Sequence, residues 1–153
     1  MLDDLDRRII AELQLDGRLT NQLLAEKVGM SASACWRRVR SLEEAGIIRG
    51  YAALVDRRKA GFSISAIVHV VLARHESMDV EPFEQRIQRQ PEVLECFATS
   101  GEADYHLHVV AADIDTYHRF LNDVMFKMPG IAHVRSHIVL KEIKAEVALP
   151  VRR

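Results

Sequence analysis

The chain has 153 residues, of which 48% are hydrophobic and 28% are charged, and its formal net charge is −1. This composition is ordinary for a globular protein of one large or two small domains. No run of about 18 apolar residues occurs, and the acidic start of the chain lacks an apolar segment behind basic residues, so neither a membrane span nor a signal peptide is predicted. Cys35 and Cys96 belong to no paired motif, which favours a reduced, cytoplasmic setting.

The first two predicted helices are marked by caps and by apolar periodicity. Asp3 or Asp4 can cap the first helix, whose apolar residues recur every four positions, at Leu5, Ile9 and Leu13. Thr20 is a suitable N-cap for a short second helix. Gly29 is expected to end that helix, because a tight exit often needs a positive φ.

A third helix is predicted over residues 31–45, with Gly46 as its stop. The second helix, a turn of about three residues at Gly29 and the third helix together have the spacing of a helix-turn-helix. Residues 47–55 are predicted to form two short strands about Gly50, which would be a small wing.

The third helix has two chemically different faces. At 100° per residue, an apolar side faces the core with Cys35, Val39 and Leu42. The opposite side is basic and hydrogen-bonding, and it carries Ser33, Arg37, Arg40 and Ser41, with Trp36 at its edge. Residues 27–42 contain basic residues and no acidic one. The pattern is typical of a recognition helix that enters the major groove of double-stranded DNA.

Other interpretations of this face stay open. The arginines can form an ordinary solvated helix face. Arg38 lies nearer the core boundary, where it is expected to hold a phosphate or to pair with an acid. Trp36 can contact DNA or pack at the edge of the helix.

The second half of the chain predicts the order β-α-β-β-α-β, which is the ferredoxin-like arrangement. The strands are expected at residues 64–72, 93–99, 105–111 and 131–140, with a further strand possible at 143–149. The helices are expected at residues 79–90 and 113–128, the second capped by Asp113, with Ile114, Tyr117, Leu121, Val124 and Met128 facing inward.

We therefore predict an α+β protein in two domains. Residues 1–55 form a winged helix-turn-helix domain, residues 56–61 form a basic linker, and residues 62–153 form a ferredoxin-like βαββαβ domain. The linker's basic run is either in contact with phosphates or simply solvated. Two helices cover one face of the sheet, so apolar residues on the other face need a partner, for which a second subunit is the simplest.

The histidines of the third predicted strand allow two interpretations, a metal site or a purely structural role. His106 and His108 alternate on a strand and point the same way, and Cys96 can lie near His108 across the hairpin, which resembles a ligand set. Two partly buried histidines explain the same pattern. We predict no metal and no cofactor.

Short fragments distributed over both domains resemble the Lrp/AsnC family, the feast-or-famine regulators of bacteria and archaea. In the first domain they are Leu5-Asp6-Arg7-Arg8-Ile9, Asp16-Gly17-Arg18, Ser31-Ala32-Ser33-Ala34-Cys35-Trp36-Arg37-Arg38-Val39 and Leu42-Glu43-Glu44-Ala45-Gly46-Ile47-Ile48. In the second they are Pro91-Glu92-Val93, Thr99-Ser100-Gly101, Asp104-Tyr105, Pro129-Gly130-Ile131 and Leu140-Lys141-Glu142-Ile143-Lys144.

The resemblance implies dimers formed by the C-terminal domain, which often assemble into octamers, and an amino-acid-like effector bound between C-terminal domains of adjacent dimers. The family's pocket corresponds to the turn from Gly101 to Asp104, with a contribution from the strand that holds Ser136. An effector carboxylate can bind turn amides and the hydroxyl of Thr99 or Ser100. Asp104 can receive an ammonium group, or it can serve only the turn.

The favoured function is therefore a nucleoid-associated transcriptional regulator that binds double-stranded DNA and a small effector. A small enzyme built on the second domain is the alternative, but the sequence has no nucleophile elbow, zinc-protease motif, phosphate loop or dinucleotide fingerprint. A metabolite-binding module that does not touch DNA would leave the first 50 residues unexplained.

Overall fold

The computed structural model describes residues 2–73, 80–145 and 148–151. The chain divides into two compact units. The first contains Met1–Leu54 together with Lys144–Arg153, and the second contains Val55–Ile143. None of the helices in the described ranges is long and apolar enough to cross a membrane.

The first unit is built on three helices, α1 (Asp4–Leu15), α2 (Asn21–Val28) and α3 (Ala32–Glu44). Each begins at a predicted cap, because a side-chain oxygen accepts a backbone N–H of the first turn; the caps are Asp3, Thr20 and Ser31. The helices share one apolar core, to which the buried residues Ile9, Ile10, Leu24, Ala25, Val28, Cys35 and Leu42 belong.

The turn between α2 and α3 has the geometry that its sequence predicts. Gly29 has a φ of 73°, in the left-handed region that glycine enters without a steric penalty. The N–H of Met30 donates to the carbonyl of Ala25 at 3.0 Å, which closes the end of α2. Ser31 then caps α3, so the two helices are joined by a short and well-defined turn.

The predicted strands of the wing are wrong. Residues 47–55, all of which the structure describes, form no strand. The N–H groups of Ile47 and Ile48 both donate to the carbonyl of Leu42, at 2.9 and 3.1 Å, so this segment first completes the end of α3. The hydroxyl of Tyr51 donates to Glu43 at 3.0 Å, which ties the next residues to α3 by a side chain.

The second unit has the predicted ferredoxin-like order. Its elements are β1 (Ile64–Leu72), α4 (Val80–Ile87), β2 (Val93–Ala98), β3 (Tyr105–Ala111), α5 (Ile114–Phe120, continued by a π-helical turn at Leu121–Met125) and β4 (Ile131–Ile138). The strands form one antiparallel sheet in the order β2-β3-β1-β4. The predicted helix start at residue 79 lies outside the described residues.

The two faces of this sheet differ. On the covered face, alternate residues of β1 are buried in a core with side chains of α4 and α5; from β1 these are Ala66, Val68, Val70 and Leu72. The other face, which we call the open face, carries the remaining β1 residues, and they are only partly buried: Ser65, Ile67, His69 and Val71. The open face of β1 therefore carries both apolar and polar side chains.

The inward face of α5 was predicted only in part. Tyr117 and Met128 are buried, but Ile114 is 57% exposed. The helix ends in a π-helical turn, in which the N–H of Phe126 donates to the carbonyl of Leu121, five residues earlier. Met125, within this turn, is buried in the core, although the predicted inward face did not include it.

The last residues of the chain belong to the first unit and not, as predicted, to the second. The described residues between 143 and 149 form no strand; positions 146 and 147 lie outside the description. The side-chain amide of Gln14 pairs with the backbone N–H and carbonyl of Leu149, at 2.6 and 3.0 Å, and Val151 packs against the helical core.

Residues 56–61, predicted as a linker, form a turn of the second unit. The N–H of Phe62 closes this turn by donating to the carbonyl of Arg57 at 2.8 Å.

Candidate functional site

Helix α3 presents the predicted exposed face. Ser33, Trp36, Arg37, Arg40 and Ser41 are all exposed. The opposite side of the helix is anchored in the core, where Cys35 is buried and burial raises the pKa of its thiol. The helix is therefore held by its apolar side and offers guanidinium and hydroxyl groups to a partner.

Trp36 and Arg40 form a pair that sequence reasoning missed. The guanidinium carbon of Arg40 lies 5.8 Å from the centre of the Trp36 ring, and Nε of Arg40 lies 3.5 Å from a carboxylate oxygen of Glu44. Both spacings are i,i+4 on one helix, which is the signal that could have revealed them. Trp36 is 55% exposed and is therefore not a core residue. Its ring packs against the charged group of Arg40 at the surface.

Arg38 pairs with acidic residues, which is one of the two roles predicted for it. Its Nη1 lies 2.7 Å from Oδ2 of Asp3 and 2.7 Å from Oδ1 of Asp6, so this side chain joins α3 to the first turn of α1. The pKa of the Asp3 carboxyl is lowered, first by the backbone N–H of Asp6 and then by Arg38. Arg38 thus positions α3 within its unit, whereas Arg37 and Arg40 project from it.

The second candidate site is the turn between β2 and β3, in residues 99–104. The N–H of Thr99 donates to the carbonyl of Asp104 at 2.9 Å, and the Thr99 hydroxyl donates to the carbonyl of Ala103 at 3.0 Å. Gly101 has a φ of 139°, and a Cβ built on it meets no atom within 4 Å. The turn is therefore closed at its base and open at Gly101, with Ser100 exposed beside it.

Asp104 has a definite structural partner. Its Oδ2 accepts the backbone N–H of Leu72 at 2.7 Å, and its own N–H donates to the carbonyl of Val70 at 2.9 Å. These bonds extend the β1–β3 ladder past its last residue pair. The residue is nevertheless exposed, and a carboxylate has acceptor capacity on both of its oxygens.

Ser136 is not brought together with the turn in this chain. It pairs with Val68 on β1, so that β1 separates it from the β2–β3 turn. Its hydroxyl forms a hydrogen bond with the Tyr117 hydroxyl of α5. Burial raises the pKa of Tyr117, which keeps the phenol neutral.

The possible metal set of Cys96, His106 and His108 is not assembled. Cys96 pairs with Leu107, whose side chain is in the core of the covered face, while the two histidines lie on the open face. Among the described residues, no group of three or more His, Cys, Asp or Glu side chains could hold a metal ion.

The helix-turn-helix and the separate sheet domain together define a transcriptional regulator with one DNA-binding and one ligand-binding domain. Family models agree with this division: residues 2–49 match a winged helix-turn-helix DNA-binding model, and residues 65–149 match the Lrp/AsnC ligand binding domain. The chain belongs to the Lrp/AsnC family.

Similar proteins share the fold over nearly the whole chain. The transcriptional regulator AzlB of Bacillus subtilis and the leucine-responsive regulatory protein of Escherichia coli are each 35% identical over 99% of this chain, covering 96% and 92% of their own lengths. A transcriptional regulator from Neisseria meningitidis, solved in complex with L-Met, is 38% identical with a TM-score of 0.93, covering 99% of this chain and 97% of its own. An AsnC family regulator from Agrobacterium tumefaciens has a TM-score of 0.92 at 37% identity, covering 98% and 97%.

Proposed function

We propose that α3 reads operator DNA at the nucleoid through the face formed by Ser33, Trp36, Arg37, Arg40 and Ser41. The exposure of two arginines on a helix whose other side is anchored in the core supports this proposal. Arginine suits base edges and phosphates because its fork of donors matches paired acceptors. Arg38 acts through α1, since its guanidinium is engaged by two carboxylates.

We further propose that a small amino-acid-like effector binds at the β2–β3 turn and modulates assembly or DNA affinity. The observation that carries this proposal is a turn with open space at Gly101, exposed Ser100 beside it and an exposed carboxylate at Asp104. Backbone amides and a hydroxyl suit the ligand's carboxylate, and Asp104 suits its ammonium. The L-Met complex of the similar Neisseria regulator supports the ligand class. Ser136 lies beyond β1, so in this proposal it reaches the ligand from a neighbouring subunit.

A screen of the full chain against the twenty amino acids tests the effector proposal. A ligand at about 100 times its Kd adds roughly 2.7 kcal/mol to the free energy of unfolding if it binds only the folded state. We expect at least one amino acid to raise the midpoint of thermal unfolding, with L-methionine as the first candidate. No rise with any of them at millimolar concentration would contradict the proposal.

The proposal includes self-association through the open face of the sheet. Its support is that α4 and α5 pack on the covered face, whereas the open face has partly exposed apolar side chains, Ile67 and Val71 among them, and Phe97 at 55% exposure. A second copy would remove these side chains from water. Assembly of such dimers into octamers belongs to the same proposal.

Replacing Phe97 by Asp places a charge on this face and is expected to weaken self-association strongly, because removing a carboxylate from water is costly even beside His106, its register partner. Light scattering of the full chain should then show monomers where the wild type forms dimers or larger assemblies. Phe126→Asp is the matched control, since Phe126 is 60% exposed and follows the π-helical turn after α5. Equal assembly of wild type and Phe97→Asp would contradict the assignment of this face.

A further inference from the structure

The open face of the sheet holds a cluster of histidines. The ring of His69, on β1, lies 4.4 Å from the ring of His106 on β3 and 4.9 Å from the ring of His137 on β4, measured between ring centroids. The three strands are neighbours in the sheet, which brings the rings side by side. His108 follows on the same face of β3, opposite Ile67.

Fixed charges near the cluster come from β2, from β4 and from two turns, and His133 of β4 lies on the same face, opposite Val71. Arg135 of β4 is the register partner of His69, and Glu102, in the β2–β3 turn, lies 3.8 Å from Arg135. Glu95 of β2 is 3.4 Å from Nδ1 of His108. The last of these groups is Arg57, which comes from the turn before β1.

Arg57 adds a positive charge at the other nitrogen of His108. Its Nη1 lies 2.9 Å from Nε2 of His108 and its other amino group pairs with Glu142. Because a guanidinium only donates, Nε2 accepts this hydrogen bond and carries a lone pair. His108 thus lies between the guanidinium of Arg57 and the carboxylate of Glu95.

The environment of His69 opposes its protonation. Partial burial lowers the pKa of His69, and His106, His137 and Arg135 lower it further. A protonated His69 would be repelled by a charged His106 on β3 and by a charged His137 on β4. His69 therefore stays neutral more readily than an isolated histidine does.

We propose that self-association through the open face is controlled by protonation of this histidine cluster, so that copies of the chain associate when the imidazoles are neutral and separate when they become charged. The proposal rests on the self-association proposed above. A second copy covering this face would remove water from the rings and add its own cluster nearby. Both effects penalise imidazolium and leave neutral imidazole nearly unaffected.

The direction of the pH effect follows from linkage. The pKa of His69 is lowered in the folded chain, so the folded chain binds fewer protons than the unfolded chain near pH 6. An assembled face binds fewer still. Association is therefore fully favourable above the ordinary histidine pKa of about 6.5 and weakens as the pH falls through the lowered pKa of His69 in the free chain.

Sedimentation velocity of the full chain at pH 8 and at pH 5.5, at constant ionic strength, tests this proposal. EDTA in all samples prevents cations from bridging imidazoles. We expect the Kd of self-association to rise at least tenfold on acidification, since a shift of one pKa unit in one group corresponds to a factor of about ten. Circular dichroism at both pH values establishes that the chain stays folded.

Three substitutions at once, His69→Gln, His106→Gln and His137→Gln, should leave self-association nearly equal at the two pH values. His118→Gln is the matched control, because His118 lies exposed on α5, away from the sheet, and should keep the wild-type pH response. If the triple variant is unfolded, His69→Gln alone should reduce the response at least threefold.

The outcomes separate this proposal from the interface itself. A wild type that associates equally at pH 8 and pH 5.5 overturns the proton control and leaves the interface standing, as does a folded variant with an unchanged pH response. A wild type that is monomeric at pH 8 overturns the interface and the proton control together.

Discussion

Replacing both Arg37 and Arg40 by Ala is expected to weaken binding to operator DNA by about two orders of magnitude or more. Loss of one specific base contact costs about 1–3 kcal/mol, and the two side chains project from the same exposed face of α3. Arg40 is also held by Trp36 and Glu44, so its guanidinium is partly ordered before it meets DNA. Fluorescence anisotropy with a labelled operator duplex measures the loss.

The control for this experiment is Arg89→Ala, which removes the same charge from an exposed position just after α4. Its operator affinity should stay within about threefold of wild type, because Arg89 belongs to the other compact unit and is expected to contribute only screened electrostatics. Arg37→Ala and Arg40→Ala examined singly separate base contacts from phosphate contacts, since a lost phosphate contact also reduces the salt slope by about one. Unchanged affinity in the folded double variant would remove α3 as the reading element.

Asp104→Asn is expected to abolish the stabilisation that an amino acid effector gives to the wild type. Asparagine keeps an oxygen that can accept the N–H of Leu72, which Asp104 now binds at 2.7 Å, but it has no charge to offer an ammonium group. The variant thus separates the structural role of this residue from its proposed role in binding an ammonium group. Thermal unfolding with and without the effector, together with the oligomer size with and without it, measures the effect.

Glu92→Gln is the matched control for Asp104→Asn, since it removes a carboxylate from a position just before β2. It should respond to the effector like the wild type. Asp104→Ala should in addition lower the thermal stability without ligand, because the N–H of Leu72 loses its acceptor. If Asp104→Asn binds the effector as well as the wild type, the carboxylate serves the turn alone.

Features written in local sequence could be predicted. Thr20 and Ser31 cap their helices, and Gly29 has the positive φ that the exit of α2 needs, because each of these properties depends on the residue and its immediate neighbours. The ferredoxin-like arrangement followed from the chain order of the elements, since a β-α-β-β-α-β chain has few unknotted solutions.

Features set by contacts distant in sequence could not be predicted. The hydrogen bonds between Gln14 and Leu149 join residues far apart in the chain, and the local sequence of the last residues does not predict them. The π-helical turn after α5 has no periodic signal either, so Met125 was missed as a core residue. The same holds for the histidine cluster, which needs the register of β1 against β3 and β4.

The candidate site was predictable to a different degree in each domain. The exposed face of α3 follows from helical periodicity, and only the partner of Arg38 needed the tertiary structure, since Asp3 and Asp6 are on another helix. Placing Ser136 beside Gly101 came from the family resemblance, and within one chain β1 lies between them. That part of the site stays a prediction about the assembled protein.

The most direct test is the affinity of the full chain for the DNA upstream of its own gene, measured at 50 and 200 mM salt with and without the effector. A protein with about six to ten phosphate contacts should lose roughly 10³–10⁵ in affinity between these salt concentrations. We also expect the effector to change the affinity at fixed salt, because it binds one assembly state more tightly than the other. Weak binding whose affinity changes with neither salt nor effector would contradict the function of a ligand-responsive DNA-binding regulator.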